Sequence, residues 1–161
     1  MNNFADILAA FYRENRQALY TYALLLTGNR TAAEDAVHTG FANILHRGIW
    51  PREIRPYVFR CIRNAAIDEQ RRHIRQAKED SIFEEKADED TWNRMANQEQ
   101  AELLLQSLRE KERECVVLKI YGRMTFEEIS ETLGSPMGTV TSWYRRALER
   151  MREILEETTH G

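Results

Sequence analysis

Residues 125–146, TFEEISETLGSPMGTVTSWYRR, constrain this chain more than any other stretch. They read as two short amphipathic helices joined by a tight turn. Thr125 suits an N-cap, and Glu128, three residues on, reaches back to the Thr125 N–H to complete a capping box. Phe126, Ile129, Ser130 and Leu133 recur at the spacing of one buried helical stripe. Gly134 supplies the permissive backbone that ends the first helix. Ser135 then caps a second helix with Pro136 at its first position, where no N–H is required. The stripe resumes at Val140, Tyr144, Ala147, Leu148, Met151 and Leu155. Ser142, Arg145 and Arg146 project together away from it, with Thr139 and Thr141 at the edges and Trp143 on its flank. A helix-turn-helix presents a recognition helix to a DNA major groove in this way. Arginine grips guanine O6 and N7 with paired bonds, about 1–3 kcal/mol of discrimination each. Hydroxyls suit phosphates. The plainer alternative is a solvated face on which Arg145 and Arg146 pair with Glu149 and Glu153.

The remaining periodicity is helical too, and Gly and Pro are scarce, 7 and 3 among 161 residues. One helix is expected over residues 4–27, closed by Thr27-Gly28-Asn29. A second is expected over residues 32–47, capped by Thr31 with Glu34 and facing inward through Ala33, Val37, Phe41, Ile44 and Leu45. A third starts near Glu53, holds Pro56 in its first turn and runs into the basic string Arg71-Arg72-His73-Ile74-Arg75. Residues 77–97 are acidic and weakly patterned and read as a linker. Helices over residues 98–108 and 110–121 complete the count. The expectation is an all-α chain of two small helical domains joined by an acidic linker: residues 1–76, a tether over 77–97, and a four-helix helix-turn-helix domain over 98–161.

The net charge of −3 is segregated. Residues 52–76 carry +4, residues 77–102 carry −6, and the remaining segments lie near zero, so the global value says little about local partners. On the third helix, Arg60, Arg63, Asn64, Arg71 and Arg72 follow the loop residue Trp50. Basic groups beside an aromatic suit a single nucleic-acid strand, and an unstacked base needs hydrogen-bonding partners such as Asn64 and the Ile49–Ile54 loop. By chemistry alone, an arginine-solvated helix with Trp50 pinned to the core fits equally well.

Several classes find no support. No run reaches the ~18–20 apolar residues of a membrane span, and MNNFADIL lacks the features of an export signal, so a cytoplasmic protein is expected. Cys61 and Cys115 stand far apart in apolar stripes and fit buried thiols. His38 and His46 have no accompanying ligand set, so no metal is expected. No phosphate loop or nucleophile motif appears, so neither enzyme activity, a small-molecule substrate nor a cofactor is expected.

With both halves in view, the chain resembles small alternative RNA polymerase sigma factors of the extracytoplasmic-function type, in the sigma-70 family. AAEDAVHTGFANIL looks like the helix that grips polymerase, IRPYVFRCIRNAAIDEQRR like the helix that melts and reads the −10 promoter element, and LREKERECVVLKIYGRMTFEEISETLGSPMGTVTSWYRRAL like the region that reads the −35 element. The resemblance implies core RNA polymerase and promoter DNA as partners, commonly with an anti-sigma factor. It assigns polymerase contact to Asp35, His38, Phe41 and Asn43, −10 reading to Trp50 and the five polar residues of the third helix, and −35 reading to the recognition helix. Two departures stand out. The family usually has a Gln-Glu-Thr-Phe type string where this chain has His38-Thr39-Gly40-Phe41, and Gly within a helix costs about 1 kcal/mol relative to Ala. It also often has basic residues where Thr141 and Trp143 stand. A stand-alone helix-turn-helix regulator, and a degenerate relative that occupies polymerase or an anti-sigma factor without initiating, remain as alternatives.

Overall fold

Apolar residues at helical spacing must find a common interior, and here they find two. The computed structural model describes residues 3–80 and 104–160, and the chain divides into two compact units, Met1–Ala87 and Asp88–Gly161. All regular elements among the described residues are helices: α1 (Phe4–Thr27), α2 (Arg30–Arg47), α3 (Ile54–Asp80), α4 (Glu110–Ile120), α5 (Phe126–Leu133) and α6 (Met137–His160).

In the first unit α1, α2 and α3 pack around Leu19, Tyr22, Leu24, Ile44, Val58, Phe59 and Ile62, all fully buried. Asn3 opens α1 by accepting from the Asp6 N–H at 2.8 Å, and Gly28 closes it with φ +66°. The second cap differs from expectation. Asn29, not Thr31, accepts the Ala32 N–H at 2.8 Å. Thr27 makes this possible: its hydroxyl shares its one proton between the Ala23 carbonyl at 2.9 Å and the Asn29 carbonyl at 3.1 Å and accepts the Asn29 N–H at 3.4 Å, holding the short connection against the end of α1. Thr31 and Glu34 therefore lie inside α2, and Glu34 faces Arg30 at 3.9 Å on the surface. A polar tie crosses from α3 to α1. Arg55 donates to Asn15 Oδ1 at 2.8 Å and lies 5.3 Å from the Phe11 ring centroid.

The inner face of α2 is rotated from the expected one. Ala32, Ala33, Ala36, Val37, Gly40 and Ile44 are buried, while Phe41 is half-buried and Leu45 is 52% exposed. Gly40 is the reason. A Cβ there would lie 3.2 Å from Ile62 Cγ1 and 3.3 Å from Ile62 Cα, so α2 reaches α3 along its line of smallest residues. The glycine that looks like a defect in an isolated helix is a packing residue here. α3 also continues past the expected basic run to Asp80. Residues 81–97 of the expected linker, and the start of the helix expected from residue 98, lie outside the described residues; residues 104–106 are helical.

In the second unit, α4 supplies Cys115, Val116, Val117 and Leu118 to a core shared with Met124, Ile129, Leu133, Val140 and Ala147. Arg113 anchors the chain before α4 by donating to the carbonyls of Leu105 at 2.7 Å and Leu108 at 3.0 Å. Leu148 and Leu155, expected in the stripe of the last helix, are exposed. α6 has 24 residues against 11 in α4 and 8 in α5, so at 1.5 Å per residue it is longer than either of them.

Candidate nucleic-acid interface

The turn that orients the recognition helix is set by local hydrogen bonds. Thr125 Oγ1 accepts the Glu128 N–H at 3.1 Å, and the Thr125 N–H donates to Glu128 Oε1 at 3.1 Å, so both halves of the capping box form. Gly134 ends α5 at φ +62°. Ser130 then ties down the turn: its hydroxyl donates to the Ser135 carbonyl at 2.5 Å and its carbonyl accepts the Ser135 N–H at 3.1 Å. Ser135 does not cap α6. Its hydroxyl donates back to the Leu133 carbonyl at 3.4 Å, and the carbonyl of Pro136 takes the first helical N–H groups, from Thr139 and Val140, at 3.0 Å. Pro136 thus sits one position before the helix rather than at its first residue.

From this start α6 buries Val140 and Ala147. Tyr144 meets Phe126 edge-on at 5.3 Å between ring centroids, and Lys119 of α4 lies 4.6 Å from the Phe126 centroid. Arg145 and Arg146 are exposed, and neither is ion-paired among the described residues. The pairing with Glu149 or Glu153 that would make them a plain solvated face does not form. Thr139, Ser142 and Trp143 are half-buried, and Thr141 donates to the Gly138 carbonyl at 3.1 Å, so its proton serves the first turn of its own helix.

In the first unit, α2 and α3 enclose a groove of about 670 Å³. Arg63, Asn64, Arg71 and Arg72 line it from α3, and Thr39, Asn43 and Arg47 from α2. The interior is mixed in sign, since Asp68 and Glu69 also reach it. Arg72 is held by the largely buried Glu69 in a close i,i+3 ion pair. Glu69 occupies the position where the inner line of α3 would continue from Ile62 and Ala66, a signal present in the sequence. Arg60 is exposed one turn before Asn64, outside the groove. Trp50 also lies outside it: the indole packs on Phe4 at 5.1 Å between centroids and remains 60% exposed. Cys61 borders the groove. Burial pushes its thiol up, partly offset by the Arg47 guanidinium, a hydrogen bond with Tyr57 and the Arg60 guanidinium.

The four α2 residues assigned to polymerase do not line one groove. His38 and Phe41 line an apolar groove against α1, beside Leu8, Tyr12 and Leu45. Asn43 lines the basic groove against α3 instead. Asp35 is exposed and borders neither of these two grooves. Among the described residues no cluster of three or more His, Cys, Asp or Glu side chains could hold a metal, and no helix is long and apolar enough to cross a membrane.

The molecule is thus a pair of helical units, one offering an arginine-lined groove of mixed sign and the other a helix-turn-helix with Arg145 and Arg146 exposed. Comparison with known proteins names that class. Residues 11–76 match the model of sigma-70 region 2, and residues 98–151 match that of sigma-70 region 4. The extracytoplasmic-function (ECF) RNA polymerase sigma factor SigL of Mycobacterium tuberculosis is 28% identical over 95% of this chain and 91% of its own length. Two solved structures share the fold. The sigma factor RpoE of Bartonella quintana, crystallised with the anti-sigma factor NepR, has a TM-score of 0.70 at 19% identity over 92% of this chain and 96% of that one. CnrH, solved with the cytosolic domain of CnrY, has a TM-score of 0.67 at 21% identity over 92% and 87%. The chain belongs to the sigma-70 family, as an alternative sigma factor of the ECF type that directs promoter recognition.

Proposed function

We propose that this chain binds bacterial core RNA polymerase and starts transcription by reading the −10 element with residues 1–76 and the −35 element with residues 98–161, the acidic residues 77–97 serving as tether. One observation carries the reading: region 2 and region 4 matches occur in order on one chain, and the second ends in a helix whose exposed Arg145 and Arg146 make no ion pair among the described residues. On this reading Thr139, Thr141, Ser142, Arg145 and Arg146 contact the −35 duplex. Arg60, Arg63, Asn64, Arg71 and Arg72 hold the melted −10 strand, with Trp50 stacking at its edge. Asp35, His38 and Phe41 contact polymerase. The protein works in the cytoplasm, has no catalytic activity of its own, and is held by an anti-sigma factor, as the structurally similar RpoE of Bartonella quintana is in its complex with NepR.

Two weak readers on one tether become a strong reader once polymerase fixes their separation, because the second contact is then intramolecular. The free chain should therefore bind duplex promoter DNA poorly. Reconstitution with core polymerase on a pool of randomised promoters tests the proposal. Initiation from a selected subset is the expected result. Sequence-specific duplex binding without polymerase would favour a stand-alone regulator, and polymerase binding without initiation a decoy; either overturns the proposal.

A further inference from the structure

The groove between α2 and α3 has two walls, and only the α3 wall has a role in the reading above. Asn43 and Arg47 are one turn apart on α2, and both line the groove opposite Arg63 and Asn64. At 3.6 residues per turn, Asn43 lies about 160° around the helix axis from Phe41, which faces the apolar groove on α1. The groove that His38 and Phe41 line therefore does not include Asn43. The space, about 670 Å³, falls within the ~300–1,000 Å³ of sites that take small organic groups, enough for one nucleotide turned out of a strand. Both amides offer a donor and an acceptor, the pattern that suits a base edge. Arg47 is exposed at the C-terminal turn of α2 and makes no ion pair among the described residues. Arg72, by contrast, is already engaged by Glu69.

We propose that Asn43 and Arg47 form the second wall of the single-strand DNA site, Arg47 holding a backbone phosphate and Asn43 hydrogen-bonding an unstacked base across from Asn64. This rests on the reading of the α3 face as a strand-binding surface. It adds α2 to the DNA contacts and removes Asn43 from the polymerase contacts.

The test is fluorescence anisotropy of labelled single-stranded 15-mers (mixed sequence, oligo-dA, oligo-dT and oligo-dC) with the full chain, alone and with core polymerase, over a salt series. Arg47→Ala should weaken mixed-sequence binding about fivefold at 0.1 M salt and flatten the slope of log K against log salt by about 0.7, the share of one phosphate on a single strand. Arg47→Lys should keep the slope. Asn43→Ala should leave the slope alone and narrow the spread among the three homopolymers. Neither variant should change affinity for core polymerase or the thermal melting profile. The proposal is overturned if Arg47→Ala leaves affinity and slope unchanged, if Asn43→Ala leaves the homopolymer spread intact, or if either variant weakens polymerase binding instead. Failure of the wild-type chain to initiate would defeat the sigma reading while leaving these strand-binding differences measurable.

Discussion

Replacing Gly40 by alanine sets two physical effects of known sign against each other. In an isolated helix the change gains about 1 kcal/mol. In this protein the new Cβ would lie 3.2 Å from Ile62 Cγ1, 3.3 Å from Ile62 Cα and 3.4 Å from Ile62 Cδ1, inside the ~3.5–4.0 Å of a relaxed carbon contact. The side-chain atoms can rotate aside, but the Cα moves only if α2 and α3 part. Overpacking of this kind costs typically 1–3 kcal/mol. The sum is a net loss of about 0–2 kcal/mol for Gly40→Ala. Gly40→Val should lose more, since it adds bulk and gives up helix propensity as well. Two compact units make a single unfolding free energy ambiguous, so the assay is hydrogen exchange of α2 and α3 amides in increasing urea, which reads the first unit by itself. A gain of about 1 kcal/mol for alanine, the value for a free helix, would show that the two helices do not touch at this point and would refute the account of why α2 is rotated.

Three further outcomes are expected. Thr21 is buried and its hydroxyl has no hydrogen-bond partner among the described residues, so Thr21→Val, which keeps the shape, should raise the stability of the first unit by about 1–2 kcal/mol in urea titration; a loss would mean that the hydroxyl is satisfied. Arg123 holds φ at +53° in the turn between α4 and α5. Since the left-handed region costs an L-residue roughly 1–2 kcal/mol and glycine gives back part of that through its looser unfolded state, Arg123→Gly should stabilise the second unit by about 0.5–1 kcal/mol, whereas Arg123→Ala, still bearing a Cβ, should gain nothing by calorimetry. Burial and the neighbouring Glu114 push the Cys115 thiol up to about 12. The folded state therefore keeps a proton that the unfolded chain releases near pH 9, and stability should be level below that pH and fall as pH rises from 9 towards 12. Cys115→Ala should flatten that stretch of a pH-stability curve, and an undiminished slope in the variant would assign it to other groups.

Much of the fold was legible along the chain because its signals are local. A capping box closes over three residues, a left-handed glycine ends a helix by itself, and a 3.6-residue period needs no partner to be seen. The helices at Phe4–Thr27, Ile54 onward and Phe126–Leu133, the Thr125–Glu128 reciprocity and the exposure of Arg145 and Arg146 were all written there. The order of motifs placed the chain in its family. The starts of α2 and α6 were not legible there, because hydrogen bonds from neighbouring groups decide which residue caps each helix. Asn29 prevailed over Thr31 through the Thr27 hydroxyl, and Ser135 turned its hydroxyl to Leu133.

What required the tertiary structure were the relations between helices. Periodicity says that a helix has an inner face, but the rotation of that face is fixed by how closely the neighbour can approach. At Gly40 a missing Cβ brings α2 onto Ile62 and turns Leu45 outward. The same rotation sends His38 and Phe41 to one groove and Asn43 to another, though in the sequence they fall within six consecutive residues. Local chemistry chose which segments coil; contact distance across the interior decided which of their polar groups stand together.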